Sequence, residues 1–512
     1  MTLRSGKVDK ATKAARHEAG SQQEGPPGRW SPRAFHASYG QAPDKPRSLR
    51  SPHNRSGRSA MPPRQRKPYP PYTGELPSPR DSPTIPVSPM PDDLTESGAL
   101  LEEIICPHCW HRFSSEQMHF IAVSPTLAFD HRLGVGEYRR FLPSQFTVRG
   151  DAIDPAGGVC TETACPECHL KVPRVMATRR TLALSVFGSP SSSKSYLLTS
   201  MTHQVEQLMD RFRIAFDDAD AEANVIVRDY QSQLFRAPTP DTKVRLLKTD
   251  LEGDWYTRVS FGKRSKLLPK PFLFKVDTMR GHPAHATSSA VGRILRIYDN
   301  AGESFEPGME KEESPVTRHM AQADGLIFVF DPTQENSFRD ECRARSADPQ
   351  WRDSRMSHQQ TLFSEAMRRV QRFAGRPDTQ RVKKPLIVVI AKYDSWSFLA
   401  KTERLPSPWR KADGRPGEER LEFDFESVRR VSMEFRDLLA KHASPMLARI
   451  ESNCTPENTL FVPVSSTGCS PSGKDDQGYY HMAGDIKPVW SEIPLLALLH
   501  LCAPDLMAGC RS

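Results

Sequence analysis

The strongest constraint on this chain is an apolar run, Thr181-Leu-Ala-Leu-Ser-Val-Phe187, that passes without a break into Gly188-Ser-Pro-Ser-Ser-Ser193-Lys194-Ser195. The run has the length and composition of a short buried strand. The loop after it differs by one residue from G-x-x-x-x-G-K-[ST], in which main-chain N–H groups wrap phosphates. Lys194 is expected to neutralise β/γ oxygens and the Ser195 hydroxyl to ligate magnesium. Leu197, Leu198, Met201, Val205, Leu208, Met209 and Phe212 then share one helical face, so a helix starts where its N-terminal dipole can meet an anion. Ser193 stands where a second glycine is expected and restricts the backbone there.

Three further segments fit the same layer. Gly292-Arg-Ile-Leu-Arg-Ile-Tyr-Asp299-Asn-Ala-Gly302-Glu303 reads as a strand ending in an Asp suited to a magnesium shell, then a glycine whose N–H can reach a γ-phosphate. Ala323 to Asp331 is another buried strand, and Pro385-Leu-Ile-Val-Val-Ile-Ala391-Lys392-Tyr393-Asp394 a third. The last ends in Lys-x-Asp. A carboxylate there accepts from both N1–H and the 2-amino group of guanine while the Lys stem covers the ring, and adenine offers no such donor pair.

With these segments in order, the chain resembles the Ras-like, translation-factor-related class of P-loop GTPases and is similar to bacterial double-GTPase and GTPase-associated proteins of predicted conflict systems. Gly188 to Ser195 matches the family's phosphate loop, Asp299 to Gly302 its D-x-x-G, and Ala391 to Asp394 its N/T-K-x-D. Thr459-Leu-Phe-Val-Pro-Val-Ser465-Ser466-Thr467 resembles its last strand and the loop that closes over the base. The resemblance covers about residues 180–505 and implies an α/β fold, a mostly parallel sheet flanked by helices. It also implies GTP/GDP as ligand, Mg2+ as cofactor, and Lys194, Gly302 and Glu303 as the catalytic positions. A largely helical insertion is expected at about 213–260, including Asp218 to Phe235, and the magnesium-sensing threonine is Thr239, Thr242 or Thr249; Pro271 to Asp277 reads as a strand antiparallel to Arg293 to Asp299, and Phe425 to Arg449 as a helix. Two departures bear on mechanism. Ala391 replaces the Asn or Thr that ties the base loop to the phosphate loop, and Glu303 puts a carboxylate where a water-orienting Gln often stands, so intrinsic hydrolysis should be slow.

Elsewhere, Cys106-Pro-His-Cys109 and Cys165-Pro-Glu-Cys168 form a pair of knuckles. Each C-x-x-C turn brings two thiolates to one ion, so the pair predicts a structural four-cysteine Zn2+ site in a zinc-ribbon-like module over 101–175. The long gap implies an insertion containing Phe129 to Phe146, with Cys160 as a spare ligand. His108 and His111 read as solvent-facing. Because the module reads as separate, chelation is expected to unfold it and leave nucleotide binding intact.

Charge sets the remaining limits. Residues 1–80 carry 16 Lys+Arg against 5 Asp+Glu, while the 512-residue chain totals +9, so the rest is slightly acidic and the basic balance belongs to the tail, which says nothing about a nucleic-acid groove on the folded part. Residues 1–100 hold 17 of 45 prolines without periodicity and read as a disordered basic tail, a solvated leader or an over-extended start before Met61 or Met90. No apolar stretch is long enough for a membrane span, and no secretory apolar block follows the N-terminus, so a cytoplasmic protein with reduced thiols is expected. The function expected is a GTP-binding switch that signals to a protein effector, with ordering around 239–260 and 302–320. The alternatives are a nucleotide-binding zinc scaffold without turnover and a P-loop ATPase.

Overall fold

The computed structural model describes residues 99–236, 243–246, 255–300, 302–305, 318–353, 358–402, 404–412, 420–474, 476, 478, 480–482 and 484–507. The basic tail before residue 99, Thr239, Thr242, Thr249, Cys510 and the side chain of Glu303 lie outside them, as do parts of both expected switch segments.

The framework is a seven-stranded sheet: β1 (Arg180–Gly188), β2 (Ile214–Asp218), β3 (Phe272–Thr278), β4 (Arg293–Asp299), β5 (Gly325–Phe330), β6 (Leu386–Ile390) and β7 (Thr459–Pro463), in spatial order 2-3-4-1-5-6-7. β1 pairs in parallel with β4 and β5, and β5, β6 and β7 continue in parallel. β3 runs antiparallel to both β2 and β4. Every residue of β5 and β6 is buried, as a strand covered on both faces must be, which is why these segments are continuously apolar rather than alternating. Helix α1 (Lys194–Leu208) packs against α2 (Val225–Phe235) and α6 (Ile493–Cys502). Helix α3 (Gln359–Phe373) packs on α5 (Ser444–Asn453), which packs on α4 (Phe425–His442).

Two elements differ from expectation. The region at about 213–260 opens with a strand, because Ile214 and Phe216 alternate inward and pair with β3, and only Val225–Phe235 is helical within the expected Asp218 to Phe235. The expected helix from Phe425 to Arg449 is two helices. The chain leaves helical geometry at Ala443, and Pro445 then starts α5 at a position where its missing N–H costs nothing.

The cysteine segment does not stand apart. Its buried residues Ile104, Cys106, Phe113, Cys165, Cys168, Val172 and Met176 share a core with Val259, Leu268 and Ile294 of the sheet domain. His108, expected to face solvent, is buried with its two ring nitrogens 3.0 Å and 3.1 Å from the carbonyls of Pro269 and Lys171, while His111 is exposed. Among the described residues no helix is long and apolar enough to cross a membrane.

Candidate functional site

The parallel register brings the strand ends to one edge. Val186 lies opposite Asp299, Gly188 opposite Val329, Phe330 opposite Ile390, and Ile390 opposite Pro463. The loops after β1, β4, β5, β6 and β7 therefore emerge together, and β1 sits where the strand order reverses, the crevice in which open α/β sheets bind ligands.

Within the loop after β1, Lys194 is buried and its Nζ donates to the carbonyls of Gly188 (3.2 Å) and Ser189 (2.9 Å), closing the loop around an ammonium. Gly188 has no alternative: a Cβ there would lie 2.6 Å from the Val329 carbonyl oxygen. Ser193 adopts φ 71°, ψ 25°, the left-handed geometry a glycine would take. The chain holds it there at a cost of roughly 1–2 kcal/mol. α1 then begins at Lys194. The Ser195 hydroxyl donates to Asp299 Oδ2 at 3.3 Å, so the hydroxyl and carboxylate expected to share magnesium are adjacent. Tyr256 reaches the same corner: burial, then the charge of Asp299, pushes its phenol above the usual range.

Asn300 ties the β4 loop back to β1, donating from its side chain to Ser185 Oγ (3.0 Å) and the Val186 carbonyl (2.7 Å). Gly302 lies against the loop after β1 so closely that a Cβ would sit 2.5 Å from Pro190 N and 2.7 Å from Ser189 C. Since backbone atoms cannot rotate aside, Gly302→Ala is expected to destabilise the domain by about 1–3 kcal/mol, read as a lower midpoint in urea. The turn after it is anchored by the buried ring of Phe305 beside Phe187, and by Arg369 donating to the Ser304 carbonyl at 2.6 Å.

At the β6 end, Lys392 is left-handed (φ 60°) and its Nζ pairs with Asp331 Oδ2 (2.7 Å), Thr333 Oγ1 (3.1 Å) and Gln350 Oε1 (2.6 Å). Asp394 accepts from the Ser465 hydroxyl on one oxygen and from the Ser470 hydroxyl (3.1 Å) on the other. Ser465 also accepts from the Gly468 N–H at 2.8 Å, and Ser466 follows half-buried. Asp348, buried in the field of Lys392, Asp394 and Asp331, was not legible in the sequence, and burial pushes its carboxyl up to about 6.

The cysteines meet as the spacing requires. Cys106 and Cys168 Sγ are 3.7 Å apart, as are Cys109 and Cys165 Sγ, and all four sulfurs lie within 4.8 Å of one another. Four thiolates about 2.3 Å from a tetrahedral zinc would be spaced by roughly 3.8 Å. The two knuckles repeat one backbone pattern. Trp110 and His169, each following the second cysteine, have φ 60° and 64°. Each donates its N–H to the carbonyl of the first cysteine, Trp110 to Cys106 and His169 to Cys165. Main-chain N–H groups of His108, Cys109 and Glu167 point at sulfur. Hydrogen bonds from Cys106, Cys109 and Cys168 hold the Cys165 thiol far below its ordinary range, whereas burial raises Cys106. The donor set fits a tetrahedral metal. Cys160 is not part of it; its thiol lies toward the Gly158 carbonyl and Asp154. A second group, Asp130, His131 and His169, is a turn clamp, since Asp130 already accepts from the N–H groups of Arg132, Leu133 and Arg140 and from His169 Nδ1.

The knuckle touches the edge where the strand ends gather through β4. Tyr298 donates its hydroxyl to the Pro107 carbonyl (2.6 Å) and Arg296 donates to the Ile105 carbonyl (3.3 Å). Trp110, His319 and Tyr298 stack in sequence, and His319 Nε2 meets Ser185 Oγ at 3.2 Å, the same hydroxyl that receives Asn300.

No family model and no curated protein matches the chain. Among solved structures it is similar to the S. cerevisiae Ski7 GTPase-like domain bound to GTP, at 12% identity over 67% of this chain and 54% of that chain, with a TM-score of 0.25. It is also similar to the same domain bound to GDP and inorganic phosphate, at 14% identity over 66% and 52% with a TM-score of 0.24. The likeness to Sup35 complexed with GMPPNP is 11% over 56% and 38%, with a TM-score of 0.20. The chain thus spans about half or less of each of these proteins. At such scores the likeness says nothing about chemistry, which rests on the site's own geometry.

Proposed function

We propose that the chain is a GTP-binding switch with slow magnesium-dependent hydrolysis, read by a protein effector. The supporting observation is the convergence of Lys194, Ser195, Asp299, Gly302, Lys392 and Asp394 at the carboxyl ends of parallel strands, with Ser195 and Asp299 in hydrogen-bond contact. Lys194, already aimed at loop carbonyls, supplies the charge for β/γ oxygens. Ser195 and Asp299 would hold magnesium, which would supply positive charge beside the phosphates. Gly302 can present its N–H to the γ-phosphate because nothing larger fits beside Pro190. Asp394 would exchange its two serine donors for the two guanine donors. Glu303, a carboxylate next to Gly302, orients water poorly and keeps turnover slow. Cys106, Cys109, Cys165 and Cys168 would hold a zinc ion that supports the fold and leaves no open position for catalysis.

Glu303 also favours a second reading, a nucleotide-binding zinc scaffold without turnover; single-turnover hydrolysis of GTP by the purified protein separates the two.

The base assignment is tested at Asp394. Asn there offers one acceptor and one donor, which mismatches the guanine 2-amino group and matches the oxygen of xanthine. Asp394→Asn is expected to lose at least about tenfold in GTP affinity, the worth of one charge-assisted hydrogen bond, and to gain xanthosine triphosphate binding without gaining ATP. Competition titration of the three nucleotides against both proteins is the measurement. Preference of the unmodified protein for ATP, or full GTP preference in the variant, overturns the guanine reading.

A further inference from the structure

The methyl of Ala391 has no polar atom with which to hold the base loop to the phosphate loop. A continuous polar chain from another strand end spans that gap. Gln334, four residues beyond β5, accepts from the buried Ser189 hydroxyl (3.0 Å) and donates to the Pro190 carbonyl (3.2 Å) and to Asp331 Oδ2 (2.9 Å). Only one amide orientation satisfies this set, because the Pro190 carbonyl and the Asp331 carboxylate can only accept. The same Oδ2 receives Lys392 Nζ at 2.7 Å. Asp331 is fully buried and cannot drift: Oδ1 accepts from Thr333 N (3.0 Å) and Oγ1 (2.7 Å), and Gln359 clamps its main-chain N–H (2.8 Å) and carbonyl (3.0 Å). A buried carboxylate satisfied on every side and neutralised by Lys392 is rigid, so motion of the phosphate loop reaches the base loop through three hydrogen bonds, Ser189 to Gln334, Gln334 to Asp331 and Lys392 to Asp331.

We propose that Gln334, held by Asp331, is a positioning residue that fixes the phosphate loop relative to the base loop so that both halves of one nucleotide are engaged together. The inference rests on the nucleotide-binding reading above. Two half-sites held in register bind a joined ligand more tightly than their separate affinities imply, and loosening the register removes that gain while leaving each half-site intact.

The experiment compares Mg-GTP, inorganic triphosphate and guanosine as ligands of the unmodified chain, Gln334→Ala and Gln334→Glu, with thermal unfolding measured alongside. Gln334→Ala is expected to lower GTP affinity about tenfold and to change triphosphate and guanosine affinity by less than twofold. Gln334→Glu keeps the side-chain length but sets an acceptor against Asp331 and Pro190, and should lose at least as much. Ser189→Ala, which removes only the hydroxyl at the far end of the link, should show the same pattern with a smaller loss even where the Gln334 variants fold poorly. An unmodified chain that binds no GTP overturns the nucleotide reading itself. GTP binding that is unchanged in Gln334→Ala and Ser189→Ala, or lost in equal measure with the two fragments, overturns the coupling while leaving that reading in place.

Discussion

Lys194→Ala is expected to lose GTP binding by at least about a hundredfold, while Ser195→Ala loses less. Lys194 is buried and makes two hydrogen bonds inside its own loop, so its truncation removes both the cation offered to the phosphates and the latch that shapes the loop. Charge-assisted hydrogen bonds are worth roughly 1.5–3 kcal/mol each, and two of them correspond to about two to four decades in affinity. Ser195 supplies one oxygen that water can replace. Calorimetric titration with Mg-GTP, with thermal unfolding as a check on folding, reads the difference. Equal and unchanged affinity in both variants would mean that the serine-rich loop is only a turn.

The second large effect is expected on removing metal from the four cysteines. Structural zinc contributes roughly 10–16 kcal/mol of apparent binding energy in small sites, and the knuckles' strands, two or three residues long, hold little on their own beside the core they share with the sheet domain. Chelation should therefore melt residues 99–177, seen as loss of amide-exchange protection there and of one zinc per chain. The separability expected from sequence does not fit the docked knuckle. Tyr298 bonds to Pro107 immediately before Asp299, and the Trp110–His319–Tyr298 stack leads through Ser185 to Asn300. Loss of the metal should thus weaken GTP binding as well, by about tenfold, the worth of one or two hydrogen bonds in that corner. Nucleotide affinity unaltered in fully chelated protein would show that β4 holds its loop unaided, and protein purified under reducing conditions without zinc would remove the metal assignment.

Much of this was legible locally. Largely apolar runs marked β1, β4, β5, β6 and β7, because strands buried on both faces leave an unmistakable composition, and a shorter apolar run marked β3, which runs antiparallel to β2 and β4. The weaker alternation of Ile214 to Asp218 in an edge strand was lost beside the helical pattern that follows it. Ser193 illustrates a further limit. Its residue type argued against left-handed geometry, yet the β1–loop–α1 turn imposes that geometry and the packing around it carries the strain.

Residue type and local spacing marked the strands and put Lys194, Asp299 and Asp394 at their ends, because each depends on neighbours within a few residues; the two cysteine knuckles, 56 residues apart at their nearest, were matched only because both spell C-P-x-C. Tertiary structure alone decided that Gln334 links Ser189 to Asp331 and that Pro107 rests on Tyr298. Their partners lie 145 and 191 residues away in the chain. A glutamine in a Pro-Thr-Gln turn and a proline in a knuckle have ordinary local explanations, and a hydrogen bond across that distance leaves no periodic trace; the parallel register of β1 and β5 brings Gln334 to Ser189, and the core shared with the sheet domain brings Pro107 to Tyr298.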